Sequence, residues 1–589
     1  MEQLKLMRIL TTTTVFALAL LASAAVRAGT VTQTIELEPG WNAIYVEVEP
    51  DNKAIEQVFA GLPVASVWRW IPDDRPVSFI QNPDEELLTI DGWYGYFPAE
   101  RPESILTNLY TIGANQPYLV RLAGSSKRTL KIEGRPVLQP MTWQSNGFQL
   151  TGFPVEPGSG PTFQSWFANS EEHQGQTIYR LESDGHWVEI DRPGIERMES
   201  GRAYWVYTNG KSAYQGPLSV EMDFGVRLDF GASTARDSLV VRNYSGVSNQ
   251  IRLRRLDADV PVPLMMSNRD EETGENEWAF IPGETTFSLP VDESRILNLG
   301  VRRAELFASN AEQVLEISNG LGSRRLVEVS AAVHQPPSQA GASGSMQADN
   351  SVLASDPRFA GLWLGVASID KVSMAQQGGV NPVTTGGGEF PLRLIVHVDA
   401  GGRTVLLDEV VQMWQEGTYK PSPDNPDYNV VDEPGRYVLV TDETLLPQFE
   451  GAVLRDGEPV GVRMSSAAYD LVDNELELQG SFGPGGLLTG TIALDSEHPT
   501  NPFLHRYHPD HDNLDPEFLN FREEAYPVTR DIEFIFAGDD PDGNDSPDWG
   551  STEVAGTFTE AISGLHRSTI YVSGTFRFQR VLNIDKLNE

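Results

Sequence analysis

Pro391-Leu392-Arg393-Leu394-Ile395-Val396-His397-Val398 sets the reading of residues 357–589. It is a strand-length run rich in branched apolar residues. Further strand-length runs occupy 361–368, 404–413, 436–441, 476–480, 488–494, 531–536, 553–559 and 569–580. Gly, Pro and Asp turns join most of them. That pattern favours an antiparallel β-barrel, closed or nearly so, with a sandwich as the alternative. Residues 334–356, HQPPSQAGASGSMQADNSVLASD, precede it. Their Pro, Ser, Gly, Ala and Gln cannot bury enough apolar area to order themselves, so they read as a flexible linker.

Before the linker, 222–333 reads as a sandwich. Leu228-Asp229-Phe230-Gly231 opens it, and 238–243 alternates as a strand. Trp278 and Phe280 precede the turn Pro282-Gly283-Glu284, and strands follow at 286–289, 297–301, 314–318 and 326–333. Short alternating strands with turn punctuation and no helical period argue for two packed sheets.

Residues 29–138 and 139–221 read as two copies of one β-rich unit. Pro39-Gly40-Trp41-Asn42 leads into a strand at 43–49, as Asn146-Gly147-Phe148 leads into one at 149–155. Amphipathic segments follow at 55–62 and 163–169. Aromatic strands come next: Val67-Trp68-Arg69-Trp70 in one copy, Ile178-Tyr179-Arg180-Leu181 in the other. Each copy closes on a turn and a tyrosine strand, through Tyr118 and Tyr204. Matched features in one order point to duplication. The fold class is therefore all-β and multidomain.

The duplicated unit resembles the Gly-Trp-Asn modules of exported bacterial proteins. The opening of 222–333 and Leu315-Glu316-Ile317-Ser318-Asn319-Gly320 resemble Ig-like sandwiches of bacterial surface proteins, a likeness that implies a spacer. Gly361-Leu362-Trp363 with Arg577 and Arg580 is similar to lipocalin-like barrels. The stretches 390–399 (FPLRLIVHVD), 501–513 (NPFLHRYHPDHDN) and 562–567 (ISGLHR) resemble an uncharacterised C-terminal module of large exported bacterial proteins, which implies a domain boundary and no assigned activity.

Lys5 and Arg8, an apolar run at 14–25 and Val26-Arg27-Ala28 read as a secretory signal over 1–28, with cleavage near Ala28. An N-terminal anchor is the alternative. No later stretch reaches the ~20 apolar residues of a membrane helix. The expected compartment is periplasmic, cell-surface or secreted. An exported chain with no cysteine has no disulfides, so burial or metal must hold it together. The formal charge of −39 repels nucleic acid and anionic lipid and attracts cations. The expected partner is a protein or polysaccharide of the envelope or exterior.

Four of the nine histidines fall at His498, His505, His508 and His511, interleaved with Asp510, Asp512 and Asp515. Pro509 forbids a continuous helix, and a loop can fold imidazoles around one ion such as Zn, with carboxylates completing or orienting the shell. The candidate transition-metal set is His505, His508, His511, Asp510 and Asp512, with His566 or His397 as a distant ligand. A loop pinned by hydrogen bonds is the alternative. The second candidate is Asp540, Asp542, Asn544, Asp545 and Asp548, whose oxygen donors suit Ca²⁺. Gly543 stands at the fourth position, not the sixth, and no Glu closes a twelve-residue loop. An EF-hand is therefore disfavoured against an irregular Ca²⁺ loop or an acidic turn. Trp68, Trp70, Trp93, Trp187 and Trp205 read as a buried strand face or, alternatively, as a sugar-stacking platform.

Three functions follow. The first is an exported structural or adhesive protein with metal as stabiliser. The second is a hydrolase whose His505, His508 and His511 hold a water-activating metal. The third is carbohydrate binding through the aromatic repeats. No catalytic residue is assigned.

Overall fold

Phe390–Val398 pairs with Gly361–Ser373 on one side and with Thr404–Leu407 on the other. Glu475–Gly480, Leu487–Leu494, Val528–Phe536, Glu553–Ser563 and Ile570–Leu582 continue the ladder, each antiparallel to the last. Ile570–Leu582 returns to Gly361–Ser373 and closes an eight-stranded barrel. The computed structural model describes residues 29–71, 92–222, 225–269, 276–333, 355–385, 388–422, 428–466, 468–496, 498–501, 527–543 and 545–589.

Aromatic and aliphatic side chains fill much of the barrel interior. Alternate strand positions turn inward and bury Trp363, Phe534, Phe558, Phe576 and Phe578, and Phe482 joins the cluster from the connection after Gly480. Phe534 and Phe576 meet edge to face at 5.3 Å between centroids, a favoured aromatic geometry. Outward positions carry Glu477, Asp531 and Glu533. Strand closure needs tight passage at the seam. Gly574 lies against the Ser368 carbonyl, where a side-chain carbon would overlap it.

Two of the expected barrel strands behave differently. The run 404–413 breaks at Asp408, and Glu409–Gln415 leaves the barrel for a separate sheet with Arg436–Val440, Glu450–Gly451 and Val462–Ser465. The cause is local. The Asp408 carboxylate accepts the Leu471 N–H at 2.6 Å, and its carbonyl accepts that of Ser466 at 2.7 Å. Asn474 then holds the exit. In a left-handed conformation (φ 65°), it donates to the Glu409 and Thr441 carbonyls and accepts from the Glu409 N–H.

The sandwich consists of two five-stranded sheets. One runs Leu218–Glu221, Arg236–Asn243, Ser294–Val301, Leu264–Arg269, Asn276–Phe280. The other runs Leu228–Asp229, Arg324–Ala332, Asn310–Asn319, Asn249–Arg255, Glu284–Leu289. Their facing sides bury Leu239, Val241, Leu253, Leu299, Ile317 and Val329. Leu218–Glu221 precedes the expected start at 222, yet pairs with Arg236–Asn243.

The four-stranded sheets of the two N-terminal units share one strand order. The first sheet orders Gly40–Val46, Gln116–Leu122, Val64–Trp70, Trp93–Tyr96. The second orders Gly147–Gly152, Ala203–Thr208, Ile178–Leu181, Trp187–Glu189. Each has a one-turn helix after its first strand, Ile55–Val58 and Phe163–Trp166. The first copy adds a three-stranded sheet of Val31–Leu37, Arg128–Pro136 and Val48–Pro50. Among the described residues, no helix is long and apolar enough to cross a membrane.

Candidate functional site

His505, His508, His511, Asp510, Asp512 and Asp515 lie outside the described residues, as do residues 1–28 and Asn544. What can be placed is their scaffold. Leu494 pairs with Val528, Thr529 with Ser563, and Ile562 with Ile570. His498 beyond Leu494 and His566 in the hairpin after Ser563 therefore leave the barrel at the same end. The His498 Nδ1 faces the Thr500 hydroxyl at 2.9 Å, and the His566 Nδ1 accepts the Ser568 N–H at 3.1 Å. His397 is elsewhere. It is buried, its Nε2 donates to the Ile584 carbonyl at 3.0 Å, and burial holds its pKa below the usual imidazole value. It pairs with Leu362, opposite Leu582, so it sits at the other end of the barrel from the hairpin that carries His566, and that distance removes it from the candidate ligands.

At the opposite end, the acidic run meets arginines. Arg577 reaches the Asp540 carboxylate at 3.2 Å and also contacts Asp542 and Glu553. Arg302 of the sandwich donates to the Asp545 carboxylate at 2.9 Å and to its carbonyl at 2.6 Å. Arg236, also of the sandwich, reaches Asp548 at 2.6 Å and Ser546 at 3.0 Å. Pro547 packs on Gly300 between them. Oxygen donors expected for Ca²⁺ are thus engaged by guanidinium groups, and the loop ties barrel to sandwich. Among the described residues, no three His, Asp or Glu side chains gather to hold a metal.

The tryptophans form a core. Trp68, Trp70, Trp93 and Trp205 are buried and Trp187 is half-buried, in one cluster that includes both copies. Trp70 and Trp205 meet across the interface at 5.5 Å. The Tyr45 N–H donates to the Gly201 carbonyl at 2.8 Å, fixing the two sheets together. A sugar-stacking platform of these rings is therefore excluded: the face of each copy is covered by the other.

Two polar groups inside the units were not visible in the sequence pattern. His173 is buried between Ser170 Oγ (2.7 Å) and Thr208 Oγ1 (3.1 Å), stacked on Phe167 at 4.8 Å. Burial pulls its pKa down to about 4. This serine–histidine contact is sealed in a core, so it holds the fold rather than attacking a substrate. In the barrel, Arg530 pairs with the buried Glu560 beneath the Tyr469 ring, 4.5 Å from the guanidinium. Desolvation alone would lower the arginine pKa, but Glu560 outweighs it and raises it.

No family model matches this chain, and no curated protein matches it. Among solved structures, the Salmonella enterica SafA pilin in complex with the SafB chaperone is 13% identical, covering 31% of this chain and 91% of that chain, at a TM-score of 0.14. The E. coli chaperone DraB is 12% identical, covering 32% and 92%, at 0.14. A protein of unknown function from Bacteroides ovatus is 8% identical, covering 61% and 90%, at 0.15. Scores this low carry no argument about function.

Proposed function

We propose that this chain is an exported structural or adhesive protein of the bacterial envelope or exterior, whose β modules form a stiff arm presenting the barrel. The observation that supports this is the series of arginine–carboxylate locks at successive module junctions. Arg324 of the sandwich grips the buried Glu47 of the first copy at 2.7 Å, and Arg252 grips Glu156 of the second. Arg135 of the first copy reaches Glu312 of the sandwich at 2.8 Å, and Arg236 joins sandwich to barrel. A guanidinium fork fixes orientation as well as distance, which suits a protein whose task is to hold a shape. The reading includes a transition metal on His505, His508 and His511 as stabiliser of the barrel end, and it assigns the acidic run to the lock.

The test is binding of the purified chain to envelope preparations of its own cells, together with fractionation of those cells. Saturable binding and recovery outside the cytoplasm are expected. Cytoplasmic retention, or metal-dependent turnover of ester or peptide substrates that His508→Ala abolishes, would replace this reading with the hydrolase.

A further inference from the structure

Where the two N-terminal copies meet, a cleft of about 620 Å³ opens beside the buried tryptophans. The first copy contributes Trp70 and Gln116 to its wall, and the second contributes Trp143, Gln144, Gln149 and Thr151. None of the residues lining it carries a charge, in a chain where 22% of residues do. Amides and hydroxyls predominate. We infer that this cleft binds a neutral, hydroxyl-rich ligand, a stretch of uncharged polysaccharide.

The lining is pre-set. Gln149 accepts the Gln144 N–H at 2.9 Å and donates to the Thr142 carbonyl at 2.7 Å. Gln116 is oriented by Arg69, which donates to its Oε1 at 2.9 Å. Asn115, next to it, donates to the Val137 carbonyl at 2.8 Å. Trp143 is anchored by its indole N–H on the Tyr214 carbonyl at 2.7 Å and braced by His173 at 4.2 Å between rings. Side chains already fixed lose little freedom when a ligand arrives.

The chemistry selects the ligand class. A carboxamide offers a donor and an acceptor side by side, and so does a sugar hydroxyl. A phosphate or carboxylate ligand would call for Lys or Arg in the wall, and the cleft supplies neither. The overall charge of −39 repels anions further. An extended peptide adds to a strand edge, and Gly147–Gly152 in this wall is the edge strand of its sheet, so a neutral peptide is the decisive contrast. The amides and hydroxyls that make up seven of the eleven lining residues favour the sugar. The volume falls within the roughly 300–1,000 Å³ of small-ligand pockets. Trp70, one wall of the cleft, belongs to the same cluster as Trp205, so ligand and tryptophan core are adjacent without the rings being the platform.

This inference deepens the adhesive reading by giving it a ligand, and it rests on that reading. The test titrates the full chain by calorimetry with cellohexaose, maltohexaose, laminarihexaose and xylohexaose. An oligogalacturonate and a neutral decapeptide serve as contrasts. At least one neutral hexasaccharide is expected to bind. Ser145→Arg, at an exposed position in the wall, should weaken it at least tenfold with an unchanged melting temperature. Gln116→Ala should weaken it severalfold. No binding by any neutral saccharide, tighter binding of the oligogalacturonate or the peptide, or full affinity in Ser145→Arg would overturn the inference. Envelope binding that survives Ser145→Arg would remove this cleft and leave the adhesive role standing. Saccharide binding without envelope binding would do the reverse.

Discussion

Arg236 and Asp548 are joined at 2.6 Å, one on the sandwich and the other on the barrel, and the same guanidinium lies over the Trp278 ring at 5.3 Å. Arg302 repeats the arrangement three residues earlier in the loop, with Asp545 on one side and Phe280 at 5.8 Å on the other. Each arginine is thus held by its own domain through an aromatic face and offers its remaining N–H groups to the neighbour. The barrel loop enters as a set of acceptors between two fixed donors.

Removing that lock should separate the two domains without unfolding either. Asp548→Ala alone should cost about 1 kcal/mol or less, because Arg236 is half-exposed. Arg302 is nearly buried, so Arg302→Ala should cost more, about 2 kcal/mol, through lost packing and the lost hydrogen bond to the Asp545 carbonyl. In the double variant Arg236→Ala/Arg302→Ala, scanning calorimetry should resolve sandwich and barrel as two transitions. A single transition at the original temperature would show that Pro547 and the surrounding surface suffice.

Acid should loosen the second N-terminal copy through His173. Its folded pKa of about 4 lies below the ordinary imidazole value. Between those values the unfolded chain holds a proton that the folded chain does not, so stability is complete above about pH 6.5 and falls as pH drops toward 4. The nearby charged group is Glu172, which works against the shift without cancelling it. Unfolding free energy should fall by about 3 kcal/mol over that window and much less in His173→Gln, measured against the same denaturant. Equal pH slopes in the two proteins would refute this.

Much of the fold is legible because strand alternation is a local property. Pro391 to Val398 buries alternate residues against one core whatever follows it. The recurrence of five features in order is also a local property, and the two four-stranded sheets share one strand order. Asp408 defeats that reasoning. The residues that turn the strand out of the barrel, Leu471 and Asn474, are far along the chain. The acidic run shows the same limit in its chemistry. Carboxylates in sequence declare that a positive partner is needed, but Arg236 and Arg302 lie in another domain, and a guanidinium and a calcium ion make the same demand on the pattern. The cleft was hidden for a third reason: Gln116 and Gln149 are ordinary surface amides until two sheets are laid face to face.

Trp205→Ala should destabilise both N-terminal copies at once. The ring is fully buried and touches Trp70 of the first copy and Trp187 of the second. A cavity of that size costs about 3–5 kcal/mol. Hydrogen exchange should accelerate in both Val64–Trp70 and Ile178–Leu181. Acceleration confined to the second copy would mean the two sheets are stable independently.

Protein purified without a His-tag should carry about one equivalent of a transition metal, lost in His508→Ala. The structural basis is the shared barrel end from which His498 and His566 emerge. Equal metal content in the two proteins would remove the site. His397→Gln should leave the metal in place, since that imidazole sits at the opposite end of the barrel from His498 and His566.

Barrel closure should depend on Gly574. The strands Gly361–Ser373 and Ile570–Leu582 shift register between Ile369 and Lys371, and Gly574 pairs with Ile369 at that irregularity. A methyl group there meets the Ser368 carbonyl, which is backbone and cannot swing aside as a side-chain end would. Gly574→Ala should therefore cost about 1–3 kcal/mol, the scale of overpacking. The loss should appear as faster hydrogen exchange along both seam strands, because opening the seam relieves the clash. Gly538→Ala is the matched control, since its side-chain position is open, and it should stay within about 0.5 kcal/mol. If both substitutions are equally mild, the seam has slack, and the register shift rather than the missing side chain is what closes the barrel.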